Sequence, residues 1–238
     1  MLDHINIENI LFLDIETVPE VHDYSELDEA KQHLWDVKSN YMQKGELSAE
    51  DVYEKAGIMA EFGKIVCISV GYIQNQQDGK QLRLKSFYDH DEKELLSEFI
   101  DLLNNYYNTN RHLLCAHNGK EFDFPYVARR ILINRLELPG ILDIAGKKPW
   151  EINHLDTMEL WKFGDYKHYT SLALLTHIFD IPTPKDDISG ADVRRVYWEE
   201  NNLERITTYC EKDVAATVQL FLRYKGEPLI ADERIESV

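Results

Sequence analysis

A short apolar run near the start of the chain, Asn9 to Ile15, leads directly into two acidic residues. Its length and composition predict a buried β-strand. Asp14 and Glu16 are two residues apart, and side chains at i and i+2 of a strand point to the same face of a sheet. The run therefore predicts two carboxylates side by side on a buried strand, although a solvated strand end would also explain such a pair on its own.

Two more acidic residues follow recognisable local signals later in the chain. Asp123 lies five residues after Asn118, just past a predicted strand and a turn that Asn118 and Gly119 favour. On its own, Asp123 would be interpreted as a helix N-cap. Asp213 lies four residues after Tyr209 in a long predicted helix, so these two side chains share a face. Without the other motifs, Tyr209 would be a residue at the edge of the core.

Four carboxylates that converge on one point repel one another and lose hydration. This arrangement is tolerable when strongly positive groups lie among them. A pair of divalent ions about 3.5–4 Å apart is the usual apparatus for in-line hydrolysis of a phosphodiester. The four acids together therefore indicate metal-dependent phosphodiester chemistry.

The remaining pattern predicts a mixed α/β fold. Two β-rich runs, 64–74 and 81–88, are joined by a segment whose Asp78-Gly79 pair favours a hairpin turn. A helix over 91–107, a strand over 112–116 and helices over 124–132, 171–179, 193–200 and 203–224 follow. Three antiparallel strands, then strand–helix units and a long final helix predict a ribonuclease H-like fold, with a mixed five-stranded sheet flanked by helices.

The length predicts a single domain over residues 1–238. Residues of about 20–62, including helical stretches over 30–41 and 49–60, predict a helical insertion after the first strand, with a lid or substrate guide as the alternative role. Residues 226–238 are predicted to be a flexible tail. No apolar run approaches the roughly 20 residues that cross a bilayer. Three isolated cysteines favour neither a zinc site nor disulfides, so we expect a cytoplasmic location.

The net charge of −17 argues at first against a nucleic-acid partner. Its distribution weakens that argument. Residues 20–61 contain eleven acidic and four basic residues, whereas residues 118–170 contain eight of each. The excess of acid therefore lies away from much of the presumed site, and it disfavours tight duplex binding more than phosphodiester chemistry.

Three motifs carry a resemblance to a known family: Phe-Leu-Asp-Ile-Glu-Thr around Asp14, His-Asn-Gly-Lys-Glu-Phe-Asp ending at Asp123, and Tyr-Cys-Glu-Lys-Asp ending at Asp213. They resemble the three motifs of the DEDD superfamily of 3′–5′ exonucleases. The superfamily divides by a histidine five residues before the last aspartate or a tyrosine four before it. Here position 208 is threonine and 209 is tyrosine, so the chain resembles the tyrosine (DEDDy) branch. Over nearly its whole length it is similar to stand-alone predicted exonucleases related to the exonuclease domain of family B DNA polymerases.

The resemblance implies a set of catalytic groups. Asp14, Glu16, Asp123 and Asp213 would ligate two Mg²⁺ or Mn²⁺ ions. Tyr209, with Glu16, would hold the attacking water.

The resemblance also implies the substrate and its contacts. The backbone near Thr17 and the side chains of Asn118 and Phe122 would hold the terminal nucleotide. The partner would be the 3′ end of a single-stranded nucleic acid, with DNA favoured, and the products would be nucleoside 5′-monophosphates. No covalent polymerase module is expected in 238 residues, and the oligomeric state stays open.

Several alternatives remain at this point. RNA or a short oligonucleotide could be the substrate, and a non-catalytic nucleic-acid-binding or protein-binding module is the rival from another class. Asp156 could support the metal site or simply cap a helix. His117 and His168 could contact phosphate or be structural, and Lys147 and Lys148 could bind the nucleic-acid backbone or belong to a solvated loop.

Overall fold

A six-stranded mixed sheet lies at the centre of the computed structural model, which describes residues 2–45, 47–165, 169–182 and 188–238. The strands are β1 (Ile10–Pro19), β2 (Gly63–Gln76), β3 (Gly79–Tyr88), β4 (Leu113–Ala116), β5 (Leu155–Asp156) and β6 (Ile235–Ser237). The helices are α1 (Glu29–Ser39), α2 (Glu92–Tyr106), α3 (Asp123–Ile133), α4 (Thr157–Lys162), α5 (Leu172–Ile178), α6 (Val193–Trp198) and α7 (Leu203–Lys225).

The strand order across the sheet is β5-β4-β1-β2-β3-β6. Strands β1, β2 and β3 are antiparallel neighbours, whereas β4 runs parallel to β1 and β5 runs parallel to β4. The hairpin between β2 and β3 turns at Asp78-Gly79, as the sequence predicts. The mixed sheet with flanking helices is the predicted fold class, with one strand more than predicted.

Alternate residues of β1 pack against opposite layers of helices. Leu11 and Leu13 join the core under α2 and α3, while Ile10 and Phe12 join the core under α7. Because side chains alternate along a strand, Asp14 and Glu16 follow Phe12 onto the α7 face. The two-residue periodicity of β1 thus directs both acids toward the final helix.

A glycine in β2 allows α7 to lie close to the sheet. A Cβ atom at Gly71 would lie 2.8 Å from Cγ1 of Val214 in α7 and 3.1 Å from Cδ2 of Leu84 in β3. Real Cβ atoms essentially never approach another atom as closely as 2.8 Å. Gly71 therefore determines how near the helix that carries Tyr209 and Asp213 comes to the acids of β1.

A buried ion pair joins α2 to α3. Nε of Arg130 donates to Oε1 of Glu92 at 2.8 Å, and the same oxygen accepts the N–H of Ile65 in β2 at 2.7 Å. Oε2 of Glu92 accepts from the side-chain amide of Asn134, and the guanidinium also donates to the carbonyl of Ala60, both at 2.8 Å. Three segments of chain, at Ala60, Ile65 and Glu92, are thus fastened to the helix that begins at Asp123.

The segment after β1 contains α1 and a 3₁₀ helix over Tyr53–Ile58. Its own small core includes Trp35, which is fully buried, and Gly57 packs against Val18 and Pro19 of β1. The hydroxyl of Tyr126 in α3 donates to the carbonyl of Gly57 at 2.7 Å. The helical content that the sequence predicts is present, but the stretch predicted as helix over 49–60 forms 3₁₀ and other turns.

The prediction of a flexible tail over 226–238 is wrong for the end of the chain. Strand β6 pairs in parallel with β3, and Ile230 is buried. The side chain of Gln219 both donates to and accepts from the backbone of Ile230, at 2.7 and 3.0 Å. An apolar anchor and paired backbone groups therefore hold the tail and supply the sixth strand. Among the described residues, no helix has the length and apolar character that crossing a membrane requires.

Candidate active site

The structure brings the two acids of β1 to the point where α7 crosses the sheet. The β1–β2 ladder is regular up to the pairing of Glu16 with Cys67, and then a bulge pairs Thr17 with Ile65. A bulge bends the strand locally and can re-aim a side chain. Asp14 is half-buried and Glu16 is 8% exposed.

Helix α7 supplies the next two groups from one face. Tyr209 and Asp213 are one helical turn apart, and their side chains are hydrogen-bonded to each other. Burial, followed by the charges of Asp213, Glu16 and Asp14, raises the pKa of the Tyr209 hydroxyl far above its usual range. The phenol is therefore neutral at physiological pH.

The fourth carboxylate enters from α3. Asp123 is the first residue of the helix, with Phe122 as the N-cap, so the interpretation of Asp123 itself as the N-cap is wrong by one position. Its side chain is 3% exposed. Burial raises its pKa to about 7, with a further contribution from the charge of Asp156, although its own backbone N–H and that of Ile15 act in the opposite direction.

The acids perturb one another, which shows that they form one cluster. Burial raises the pKa of Asp14 well above its usual range, and the charges of Asp123, Glu16 and Asp213 add to the effect. Burial also raises the pKa of Glu16, with added repulsion from Asp213, Cys67 and Asp123. Carboxylates held this way are stabilised when cations neutralise them.

The donor set fits a metal ion. Asp14, Glu16 and Cys210 each offer a ligand atom, and these atoms lie within 4.8 Å of one another. The thiol of Cys210 is already engaged, since Sγ lies 3.4 Å from both the backbone oxygen and Oδ2 of Asp14. Carboxylate oxygens are the ligands that Mg²⁺ and Mn²⁺ prefer.

A cleft of about 440 Å³ opens at this cluster, a volume within the usual range of small-ligand sites. Asp14, Tyr209 and Asp213 line it, together with Tyr169 and residues of α5. Sequence reasoning gave Tyr169 no role; a tyrosine that is 70% exposed at such a cleft is visible only once the fold is known.

The three predicted substrate-binding residues lie around the cluster but do not line this cleft. Asn118 has a positive φ of 66°, and its buried Oδ1 has no hydrogen-bond partner. Thr17 follows the bulge of β1, and its side chain is hydrogen-bonded to Tyr126. The ring of Phe122 packs against that of Tyr126, with centroids 5.3 Å apart.

His117 is held as a structural histidine. Nε2 lies 2.9 Å from the carbonyl of Thr170, and Nδ1 lies 2.9 Å from Oγ1 of Thr157. A neutral ring donates from Nε2 and accepts at Nδ1 in this arrangement. Burial lowers the pKa of the ring, which agrees with the neutral form. The structural alternative fits His117, whereas His168 lies outside the described residues.

A family model described as "predicted 3′–5′ exonuclease related to the exonuclease domain of PolB" matches residues 58–228. The chain belongs to this family. The matched region of this exonuclease-family protein contains Asp123, Tyr209 and Asp213 and begins after Asp14 and Glu16. The sheet brings Asp14 and Glu16 of β1 close to these three residues. Family membership supports nuclease activity and confirms the family expected from the three motifs.

A solved structure supports the fold of this exonuclease-family protein. The family B DNA polymerase from the hyperthermophilic archaeon Pyrobaculum calidifontis aligns with a TM-score of 0.52 and 13% identity, over 90% of this chain and 24% of the polymerase. Exonuclease I of E. coli, in complex with a dT13 oligonucleotide, aligns with a TM-score of 0.40 and 12% identity, over 83% of this chain and 42% of that one. This chain thus spans about a quarter of the polymerase, and the similarity to it confirms the ribonuclease H-like fold.

Proposed function

We propose that this protein is a metal-dependent 3′–5′ exonuclease of the tyrosine branch. It would hydrolyse the last phosphodiester bond at the 3′ end of single-stranded nucleic acid, with DNA favoured, and release nucleoside 5′-monophosphates. The observation that carries the proposal is the convergence of four carboxylates, in which the charges of Asp123 and Asp213 raise the pKa of Asp14 and of Glu16. Such a cluster is costly without bound cations, and it occurs here in a chain of an exonuclease family.

Asp14, Glu16, Asp123 and Asp213 would hold two Mg²⁺ or Mn²⁺ ions. When bound, such a pair would polarise the scissile phosphate, lower the pKa of the attacking water and stabilise the charge on the leaving 3′ oxygen. The four side chains come from β1, α3 and α7, so the fold positions them before any substrate arrives. Little reorganisation is then needed when the phosphate enters.

Tyr209 would orient the attacking water. Its hydroxyl is neutral because its pKa is raised, so it is a poor proton acceptor at neutral pH. Its hydrogen bond to Asp213 fixes the direction of the hydroxyl group. A neutral phenol held in this way can position a water molecule through a hydrogen bond while leaving the proton to other groups.

The substrate would be a strand with an unpaired 3′ end, since a base can stack on an aromatic side chain such as that of Phe122 only when it is free of its complement. Oδ1 of Asn118 is a buried acceptor without a partner. Such an atom gains most from a hydrogen-bond donor on a ligand. We therefore assign the terminal nucleotide to the region of Asn118, Phe122 and the backbone of Thr17.

The deciding experiment uses single-stranded DNA and RNA of matched sequence, each labelled at the 5′ or the 3′ end. Each is incubated with Mg²⁺, with Mn²⁺ or with EDTA. We expect a ladder that shortens from the 3′ end, requires a divalent ion and is absent in Asp14→Ala and Asp213→Asn. Chromatography of the products should show nucleoside 5′-monophosphates. Wild-type turnover in either variant would contradict the residue assignment.

The same assay separates the alternatives. Faster hydrolysis of RNA, or of oligonucleotides of a few residues, would change the substrate while keeping the chemistry. Retention of nucleic acid without cleavage under every metal condition would favour the non-catalytic binding module.

A further inference from the structure

The carboxylate of Asp156, at the end of β5, accepts four backbone N–H groups. Oδ1 accepts those of Met158 at 2.9 Å, Glu159 at 3.2 Å and Asn118 at 3.0 Å. Oδ2 accepts that of Lys120 at 3.1 Å. The side chain is 3% exposed. A buried carboxylate with four N–H donors is a strongly organised arrangement.

Only two of these four backbone N–H groups belong to a helix cap. The N–H groups of Met158 and Glu159 belong to the first turn of α4, which Asp156 caps. The other two belong to the loop between β4 and α3, which lies 36 to 38 residues earlier in the sequence. The ammonium of Lys120 does not compensate this carboxylate, since it pairs with Glu159 at 2.6 Å. Asp156 therefore ties a loop of the candidate site to a separate helix.

The tied loop leads directly to Asp123. Asn118 is in the left-handed region, with φ of 66°, and its carbonyl accepts the N–H of Phe122 at 3.0 Å. The carbonyl of Gly119 accepts the N–H of Phe124 at 2.9 Å. Gly119 has no room for a side chain, because a Cβ there would lie 2.5 Å from that of Ala116. The turn that starts α3 is thus built on Asn118, whose own N–H is held by Asp156.

We propose that Asp156 is a positioning residue that fixes Asp123 in the metal cluster by holding the N–H groups of Asn118 and Lys120. This inference rests on the proposed exonuclease function and adds a residue outside the four carboxylates and the tyrosine. Asp123 lies three residues after Lys120, whose N–H is held by Asp156. Because the loop is short, its release moves the start of α3. Displacements of about 1 Å at a catalytic group can lower rates about a hundredfold.

Two variants of the full chain separate the contact of Asp156 with the loop from its role as the helix cap of α4. Asp156→Ser keeps a good N-cap for α4 but is too short to reach the loop as well. Asp156→Asn retains one oxygen acceptor and presents an NH₂ group where Oδ2 met the N–H of Lys120. The matched control is Asp28→Asn, since Asp28 caps α1 through the N–H of Lys31 at 2.8 Å and lies in the insertion.

For each protein, the melting temperature, kcat, KM and Mn²⁺ affinity are measured, the last by electron paramagnetic resonance without substrate. We expect both Asp156 variants to lose about ten- to a hundredfold in Mn²⁺ affinity and in kcat, the usual effect of removing a group that orients a ligand. Their KM should change little. Asp28→Asn should keep wild-type Mn²⁺ affinity and kcat, even when its melting temperature falls as far as theirs.

Wild-type Mn²⁺ affinity and kcat in Asp156→Ser would show that Asp156 is only a helix cap and would overturn the proposal, while the exonuclease activity itself stood. A wild-type protein that neither binds Mn²⁺ nor cleaves would instead refute the exonuclease function, and the positioning role with it.

Discussion

Replacing Asp123 by asparagine should stabilise the metal-free protein, and the gain should depend on pH. The carboxyl group has an ordinary pKa of 3.8 and a pKa of about 7 in the folded protein. Because the folded-state pKa is raised, unfolding releases a proton between these two values. The stability associated with Asp123 is therefore complete below pH 4 and is lost as the pH rises through 7.

The magnitude follows from the difference between the two pKa values. A difference of roughly three corresponds to about 4 kcal/mol of unfolding free energy, since each pKa unit is worth about 1.4 kcal/mol. The asparagine side chain would have nearly the same shape as the aspartate and no charge. Asp123→Asn should thus equal the wild type near pH 4 and exceed it by about 4 kcal/mol at pH 8. Part of the gain arises through Asp14, because the charge of Asp123 also raises the pKa of Asp14.

The assay is urea unfolding followed by circular dichroism, in EDTA, at intervals from pH 4 to pH 8. The control repeats the series with saturating Mg²⁺. Binding of the ion to the folded state should raise the unfolding free energy of the wild type much more than that of the variant. A constant offset between the two proteins at all pH values would refute the reasoning, because it would mean that Asp123 ionises alike in the folded and unfolded chains.

Three further predictions concern the support of the site. Glu92→Gln should lower the unfolding free energy by about 3–5 kcal/mol, since it leaves the guanidinium of Arg130 buried without its counter-charge; urea unfolding measures this, and a loss below about 1 kcal/mol would contradict the buried pair. Gly71→Ala should lower the unfolding free energy by about 1–3 kcal/mol through overpacking against Val214. Thermal unfolding should show that part of this stability returns in the double variant with Val214→Ala. A double variant that loses more stability than the two single variants together would count against that contact. Tyr209→Phe should lower kcat about tenfold or more without weakening Mn²⁺ binding, as followed by single-turnover kinetics and paramagnetic resonance; a phenylalanine variant of unchanged rate would remove Tyr209 from the reaction.

The sheet and the main helices could be predicted because their signals are local. The apolar run of β1, the Asp78-Gly79 hairpin and the apolar spacing of α2 and α7 each lie within one stretch of sequence. Strand β6 was missed because three residues carry too little pattern, and its pairing depends on β3, more than 150 residues earlier. The 3₁₀ turns over Tyr53–Ile58 could not be predicted either. Gly57 packs on the backbone of Val18 and Pro19, and the local sequence does not show this contact.

The candidate site, too, could be predicted only where its signals are local in the sequence. Asp14, Glu16, Asp123, Tyr209 and Asp213 are placed together by the structure, although their catalytic roles stay a proposal. The double use of Asp156 could not be predicted, because its four donors come from two segments that only the parallel pairing of β4 with β5 brings together. Sequence alone left its two roles as alternatives, whereas the geometry shows the cap and the loop contact at once.

The contact between Cys210 and Asp14 has a consequence for biosynthesis. These two residues are 196 positions apart, yet they lie side by side in the cluster. At a translation rate of about 5–20 residues per second, β1 leaves the ribosome roughly 10–40 s before α7 exists to cover its acids. A nascent chain therefore has no assembled cluster until α7 has been synthesised. The 196 residues that separate these two positions must therefore be synthesised before the site of the proposed nuclease activity can form.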